Sequence, residues 1–263
     1  MRGGTANIYD GKFSGRDSYT ASDGTPVAGP VASYSFKMYG GTANIYGGDF
    51  SSQGSGAFIM GSSAASIGTA NIYAGNFRVT GQGGISIFQY ANVTFAPADA
   101  NGNINRDAEI YVEGDAAGLI LEGINNRAAG TTITVNAGNF NSIRNSNGDG
   151  CWSGNYQADI VITGGTFTGS PRSGLTLANA PSNGGSVQIS GGTFIREGGS
   201  SNAISCGGTI RYNQIIASGA VGTLYPVGQT WAIGTTSGYG NSSINDTISG
   251  YRIGRIVVTN DGI

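Results

Sequence analysis

Thr69-Ala70-Asn71-Ile72-Tyr73-Ala74-Gly75-Asn76-Phe77 decides the fold, because the chain uses this stretch repeatedly. The same pattern occupies residues 5–13 and 42–50, and weaker copies end at three later phenylalanines. A fixed period of 20 to 50 residues is the sequence mark of stacked repeats. The period here is 27 residues, measured from Phe50 to Phe77, from Phe140 to Phe167 and from Phe167 to Phe194.

Two spacings exceed this period. Between Phe13 and Phe50 the surplus falls in residues 16–33, a Gly-, Pro-, Ser- and Asp-rich run that predicts a projecting loop. The 63 residues from Phe77 to Phe140 predict a degenerate coil around residues 110–112, with an insertion near residues 92–105.

The repeat also predicts the extent of the fold. Adding 27 to Phe194 gives Val221, and we expect the repeat to persist to that residue, for about eight coils in all. Residues 1–221 are therefore the predicted repeat domain, and residues 222–263 a predicted C-terminal β cap or connector.

Apolar and polar residues alternate within each copy, as in a β-strand with one buried face. Ala43 and Ile45 represent the inward pair that precedes each phenylalanine, and Phe58 and Met60 represent a second inward pair that follows it. The Gly just before the phenylalanine suits a sharp turn with positive φ. The chain is thus predicted to be all-β, a single-stranded parallel β-helix (β-solenoid) whose coils stack about 4.8 Å apart.

Composition restricts the possible functions. Charged residues make up 11 % of the chain and the formal net charge is −2, which argues against nucleic acid as a partner. His is absent, which removes His-based acid–base and nucleophilic catalysis. No apolar run approaches the length of a membrane span. We expect no cofactor.

Gly-Gly-Thr-Phe at residues 164–167 and 191–194 resembles the Gly-rich repeats of right-handed parallel β-helix proteins, and in particular those of bacterial surface and adhesin-like proteins. The resemblance covers residues 3–221. It implies an extracellular or cell-surface protein with a non-enzymatic, adhesive or structural role. The fold is also used by pectate-lyase-like enzymes and phage tailspikes, so a polysaccharide lyase or hydrolase, or a tailspike-like protein, stays an alternative.

The outward face of the repeated strand is the candidate binding surface. In-register coils would align rows of Thr, Asn and Tyr, which suit a polysaccharide or a host-surface glycan because aromatic rings pack on sugars and amides bond their hydroxyls. The alternative is that these ladders only stabilise the stack. The candidate glycan-binding residues are Tyr9, Tyr46, Tyr73, Asn7, Asn44, Asn71, Thr42 and Thr69, with Thr5 in the Thr row.

Carboxylates near the degenerate coil give the enzyme alternative. Glu109 and Glu113 share one predicted strand face, and Asp115 and Glu122 follow them. Glycoside hydrolysis needs two carboxylates at a defined separation. Asp99, Asn101 and Asn103 form a weak calcium candidate, because oxygen-bearing side chains alternate there without the Glu that completes a Ca²⁺ loop.

Cys151 and Cys206 occupy nearly the same phase two coils apart, a separation of about 9.6 Å. A disulfide needs Cα atoms within about 6.8 Å of each other, so two free, largely buried thiols are expected.

The first repeat begins at residue 3 with no segment before it that would cover the coil. An uncapped coil end favours homo-oligomers, and a filament subunit that stacks end to end is the second alternative.

Overall fold

The computed structural model is a parallel β-solenoid, as the repeat predicts. It describes residues 1–15, 18–20, 26–28, 34–54, 56–61, 67–88, 90–98, 103, 105, 108–121, 131–143, 148–153, 159–177, 186–197, 203–206, 208–212, 215–218, 223–225, 230–233 and 255–258.

In those ranges every helix or strand that is assigned is a β-strand, and no helix is present. The first fourteen are β1 (Thr5–Ile8), β2 (Lys12–Gly15), β3 (Ser18–Thr20), β4 (Pro26–Ala28), β5 (Tyr34–Met38), β6 (Gly41–Ile45), β7 (Asp49–Ser52), β8 (Gly56–Met60), β9 (Gly68–Ile72), β10 (Gly75–Val79), β11 (Gly83–Ile87), β12 (Ala91–Phe95), β13 (Ile110–Gly114) and β14 (Ala117–Leu121). They are followed by β15 (Thr132–Val135), β16 (Asn139–Ser142), β17 (Asp149–Ser153), β18 (Asp159–Gly169), β19 (Leu175–Leu177), β20 (Ser186–Arg196), β21 (Ile204–Cys206), β22 (Gly208–Tyr212), β23 (Ile215–Ser218), β24 (Thr223–Tyr225), β25 (Thr230–Ile233) and β26 (Arg255–Val258).

Three ladders of parallel strands form the walls of the solenoid. The first ladder is β1, β6, β9, β12, β15, β18, β20 and β22. The second, which carries the phenylalanines, is β2, β7, β10, β13, β16, β18 and β20. The third is β5, β8, β11, β14, β17, β19 and β21. The long strands β18 and β20 belong to both the first and the second ladder, so these two are one continuous sheet.

The strand register confirms the period. Phe50 lies opposite both Phe13 and Phe77, and Phe167 opposite both Phe140 and Phe194. The rings stack on one another with centroids 4.6 to 5.1 Å apart. Each coil thus buries its large apolar groups against the coils above and below, and such burial contributes about 1.5–3 kcal/mol per side chain.

The turn between the first two ladders depends on glycine. The residue two positions before each phenylalanine has φ of +111° at Gly48, +132° at Gly75 and +94° at Gly165. Side chains rarely adopt this conformation, which explains why Gly returns at this point of each repeat.

In the fourth coil, the large and the small inward side chain have exchanged ladders. Val112 takes the place of the phenylalanine, opposite Phe77 and Phe140. Phe95 takes the place of a smaller residue in the first ladder, opposite Ile72 and Val135, and its ring packs edge-on against Phe140 at 5.2 Å. The large side chain of this coil therefore lies in the first ladder and not in the second, and both residues are fully buried.

The predicted degenerate coil around residues 110–112 is confirmed, but the expected position of the insertion is wrong at its start. Asn92 belongs to β12, where Ala91, Val93 and Phe95 are buried and continue the first ladder. The insertion lies between Phe95 and Ile110. Residues 16–33 do interrupt the first coil, between β2 and β5, and contain the antiparallel pair β3–β4.

A second set of small residues allows the third ladder to approach the second. A Cβ on Gly118 would lie 2.6 Å from the backbone nitrogen of Asn141, and one on Gly150 would lie 2.6 Å from that of Thr168. The strand register places Ala57, Gly84, Gly118, Gly150 and Gly174 in one column, which we call the small-residue column.

The strands after β21 follow a different pattern. β22 continues the first ladder in parallel, but β26 pairs antiparallel with β20 beside Phe194, and β23 pairs antiparallel with β26. One more parallel strand, β22, thus follows β20, but Ile189 lies opposite Tyr212 and not opposite Ile216, the residue 27 positions later. Residues 215–218 pair antiparallel with β26, which occupies the edge of β20 beside Phe194. Val221 itself lies outside the described residues. The division at residues 221 and 222 stays a prediction.

Candidate functional site

The candidate glycan-binding surface consists of the Thr, Asn and Tyr rows. The Thr and Asn residues lie on the outward face of β1, β6 and β9, and each Tyr directly follows its strand. The Thr row is aligned by the pairing of Thr42 with Thr5 and Thr69. The Asn row is hydrogen-bonded from coil to coil: Asn44 Nδ2 donates to Asn7 Oδ1, and Asn71 Nδ2 donates to Asn44 Oδ1, each over 2.8 Å.

The Tyr row is a stack of nearly parallel rings. Tyr46 lies 5.1 Å from Tyr9 and 4.8 Å from Tyr73, with interplanar angles of 9° and 16°. Both faces of the Tyr46 ring are consequently covered by its neighbours, and only its edges remain for a ligand. Tyr9 is 60 % exposed and keeps an open face. A sugar can therefore contact Tyr46 only along its ring edges, whereas it can stack on the open face of Tyr9.

The Thr, Asn and Tyr rows end at the fourth coil. There Asn92 lies opposite Thr69 and Thr94 lies opposite Asn71. Ala96 takes the position of the tyrosine, since its amide donates to Ile72 O as the Tyr73 amide donates to Ile45 O. The rows thus cover three coils, as the exact repeats do in the sequence.

Of the two carboxylates of the enzyme alternative, Glu113 lies on β13 in the second ladder and Glu109 directly precedes that strand. Each accepts a hydrogen bond from a neighbouring side chain. Glu113 accepts a hydrogen bond of 2.6 Å from the hydroxyl of Tyr111, and Glu109 accepts one of 3.2 Å from Asn139 Nδ2. The bond to Glu113, together with burial, raises the pKa of Tyr111 above its ordinary value.

The remaining acidic candidates are only partly described. Asp115 follows β13, and its carbonyl oxygen accepts a hydrogen bond from Ser142 Oγ. Glu122, Asp99 and Asn101 lie outside the described residues, and Asn103 is exposed. In the described ranges no three His, Cys, Asp or Glu side chains gather as a metal ion would need.

Cys151 is a reduced, buried thiol, as expected. It lies opposite Leu175, whereas Cys206 lies opposite Leu177, so the two cysteines differ by two residues in phase as well as by two coils. The side chain of Cys206 is outside the described part of the chain.

The most buried carboxylate, Asp149, did not stand out in the sequence. It is 1 % exposed at the start of β17 and accepts hydrogen bonds from Thr176 Oγ1 at 2.6 Å and from the Ser173 amide at 3.2 Å. Arg172 Nη1 lies 3.9 Å away. Burial raises the pKa of Asp149 to about 6, and these three neighbours oppose the rise. No pattern of spacing distinguishes this Asp from the many loop residues around it.

A shallow depression of about 250 Å³ also escaped sequence reasoning. It lies on the outward face of β7 and β10 and is lined by Asp49, Phe50, Ser51, Asn76 and Arg78. Strand alternation alone could have placed Asp49, Asn76 and Arg78 on one face, but their spacing matches no known motif.

Comparisons of the chain with protein-family models, with curated proteins and with solved structures found no match. No helix in the described part of the chain is long and apolar enough to cross a membrane.

Proposed function

We propose that the chain is a non-enzymatic β-solenoid of the extracellular or cell-surface type, which serves as an adhesive or structural rod and binds glycans along the Thr, Asn and Tyr rows. The observation that carries this proposal is the unbroken alignment of the three rows. Polar ladders that expose hydroxyls, amides and ring edges at a regular spacing offer one contact per coil to an extended polymer.

The packing of the rows limits how a glycan can bind. Asn44 donates to Asn7 and accepts from Asn71, and both ring faces of Tyr46 are covered. We therefore expect sugar hydroxyls to bond to Tyr hydroxyls and Thr side chains, with one sugar stacked on the open face of Tyr9.

Tyr46 variants on a glycan array test this proposal. Tyr46→Phe keeps the stacked rings and removes only the hydroxyl, so binding to the selected glycan should weaken while the unfolding transition stays cooperative. Tyr46→Ala removes two ring contacts, each worth about 0.5–1.5 kcal/mol, and should lower both binding and stability. If neither variant changes glycan binding, the rows only stabilise the stack.

A filament subunit is the second candidate. Ile8, Phe13 and Phe36 in the first coil are only partly buried, whereas their counterparts in the second coil are buried beneath neighbouring coils. A second copy stacked on this coil would cover them. Negative-stain electron microscopy at rising protein concentration should then show rods of increasing length, and rods of constant length would exclude this assembly.

The enzyme alternative depends on Glu109 and Glu113. Glu109 accepts a hydrogen bond from Asn139, and Glu113 accepts one from Tyr111. Glu113→Gln should abolish polysaccharide cleavage if the chain is a lyase or hydrolase. Equal and undetectable release of reducing ends by both proteins would favour the non-enzymatic proposal.

A further inference from the structure

The depression on the second ladder has the chemistry of a saccharide subsite. Asp49, Ser51, Asn76 and Arg78 line it and are all exposed. Asn76 Nδ2 donates to Asp49 Oδ1 over 3.0 Å, which fixes the carboxylate and leaves Asp49 Oδ2 available as an acceptor. A carboxylate oxygen, a hydroxyl and an amide side by side match the hydroxyl groups of a sugar ring.

Arg78 is the basic residue that lines the depression. It lies directly opposite Glu113 in the register of β10 and β13, and its guanidinium lies over the Tyr111 ring, with Cζ 5.1 Å from the ring centroid. Glu113 accepts the Tyr111 hydroxyl instead. In the described part of the chain no carboxylate lies within ion-pair distance of Arg78.

A guanidinium over an aromatic face still has N–H groups for a further partner. Arg presents these N–H groups as a planar fork that fits a carboxylate with two parallel hydrogen bonds. Tyr111 contacts Arg78 through its ring face, and Arg78 lines the depression.

We propose that this depression binds an acidic sugar residue, with Arg78 pairing the sugar carboxylate and Asp49 and Ser51 bonding its hydroxyls. Its identity as a sugar site rests on the glycan-binding function proposed above, whereas the requirement for a carboxylate rests on Arg78. The depression is separate from the Thr, Asn and Tyr rows, which lie on the first ladder.

The test is a calorimetric titration with an oligosaccharide that ends in glucuronic acid, and with its counterpart that ends in glucose. The wild-type chain should bind the acidic sugar at least about tenfold more tightly, as expected for a charge-assisted bidentate pair. Arg78→Gln should abolish this preference, and Arg78→Lys should restore only part of it. Raised salt should weaken binding of the acidic sugar.

Arg2→Gln is the matched control, because Arg2 also lies over a tyrosine ring, 6.0 Å from the centroid of Tyr39, and is remote from this depression in the fold. It should leave the preference unchanged. Equal affinity for the two sugars, no binding of either, or an Arg78→Gln variant that behaves as the wild type would overturn the proposal. Loss of binding in Tyr46→Phe with none in Arg78→Gln would keep the proposed function and assign the acidic sugar to the rows.

Discussion

The exchange between Phe95 and Val112 shows that single residues in this core are matched to their coil. Phe95→Ile should cost about 1–3 kcal/mol, because it leaves a cavity beside Phe140. Val112→Phe should cost a similar amount, because the Phe95 ring already fills that space. The double variant restores the residue types of the other coils and should recover most of the loss.

Urea unfolding of the four proteins gives the coupling between the two positions. If the two single-variant losses simply add in the double variant, the rings do not share one space.

Asp149 predicts how stability depends on pH. Its pKa is raised to about 6 in the fold from an ordinary value of 3.8, so protonation favours the folded state. The free energy of unfolding contributed by this group is fully present below about pH 4 and is lost as the pH rises through 6.

As the pH falls from 7 to 4, the free energy of unfolding of the wild type should therefore rise by up to about 3 kcal/mol relative to that of Asp149→Asn. The measurement is urea unfolding at each pH. Asn can still accept the Thr176 and Ser173 hydrogen bonds, so it is a conservative control. Parallel pH profiles for the two proteins would contradict a buried, titrating Asp149.

Close contacts between the third and second ladders limit the size of the side chains that the small-residue column can hold. Gly118→Ala would place a Cβ within 2.6 to 2.8 Å of backbone atoms in β16, which cannot move as a flexible side chain can. We expect a loss of about 1–3 kcal/mol from overpacking.

The second coil supplies the comparison, since Ala57 already fills this column and is fully buried. Ala57→Gly should cost about 1 kcal/mol, through the lost methyl group and the added chain entropy. Thermal or urea denaturation distinguishes the two substitutions. If Gly118→Ala is as mild as Ala57→Gly, the walls are not in close contact at β14 and β16.

The walls of the solenoid could be predicted wherever the repeat is exact. Phe50 and Phe77 fall opposite each other because their spacing equals one coil, and the positive φ at Gly75 follows from its place before the phenylalanine. The exchange of Phe95 and Val112 was not predictable, because it depends on two walls that meet only after folding. The antiparallel pairing of β26 depends on contacts across more than fifty residues of sequence and has no signal in the period.

The candidate site was predicted to a similar extent. Alignment of the Thr, Asn and Tyr rows follows from the period, but the stacking that covers the Tyr46 ring faces follows from side-chain rotation, which spacing does not specify. Arg78 was missed because its contact with the Tyr111 ring depends on how the surface side chains pack.

For the whole molecule, stability should be nearly a sum of coils and their interfaces, since each coil contacts its neighbours. The second and third coils present the same residues from Thr to Tyr, so removing residues 46–72 joins Ile45 to Tyr73 and restores the motif. This 27-residue deletion should fold, with a β-type circular dichroism spectrum and a cooperative unfolding transition.

Deletion of residues 46–59 is the control, because it removes about half a coil and places inward residues on the wrong wall. It should not fold. Cooperative unfolding of both deletions, or of neither, would show that the coils are not interchangeable units.

A stack of identical coils carries a hazard that Phe95 and Val112 reduce. Strands in a uniform repeat can pair with the wrong copy during folding and still satisfy nearly every contact, so many misaligned products would have similar energies. The fourth coil has its large ring on a different wall, and a chain that slips by one coil would place Phe95 against a second phenylalanine and leave Val112 beside a void. This exchange therefore makes one coil different from the others, so that only the correct alignment of the coils places both Phe95 and Val112 in spaces that fit them.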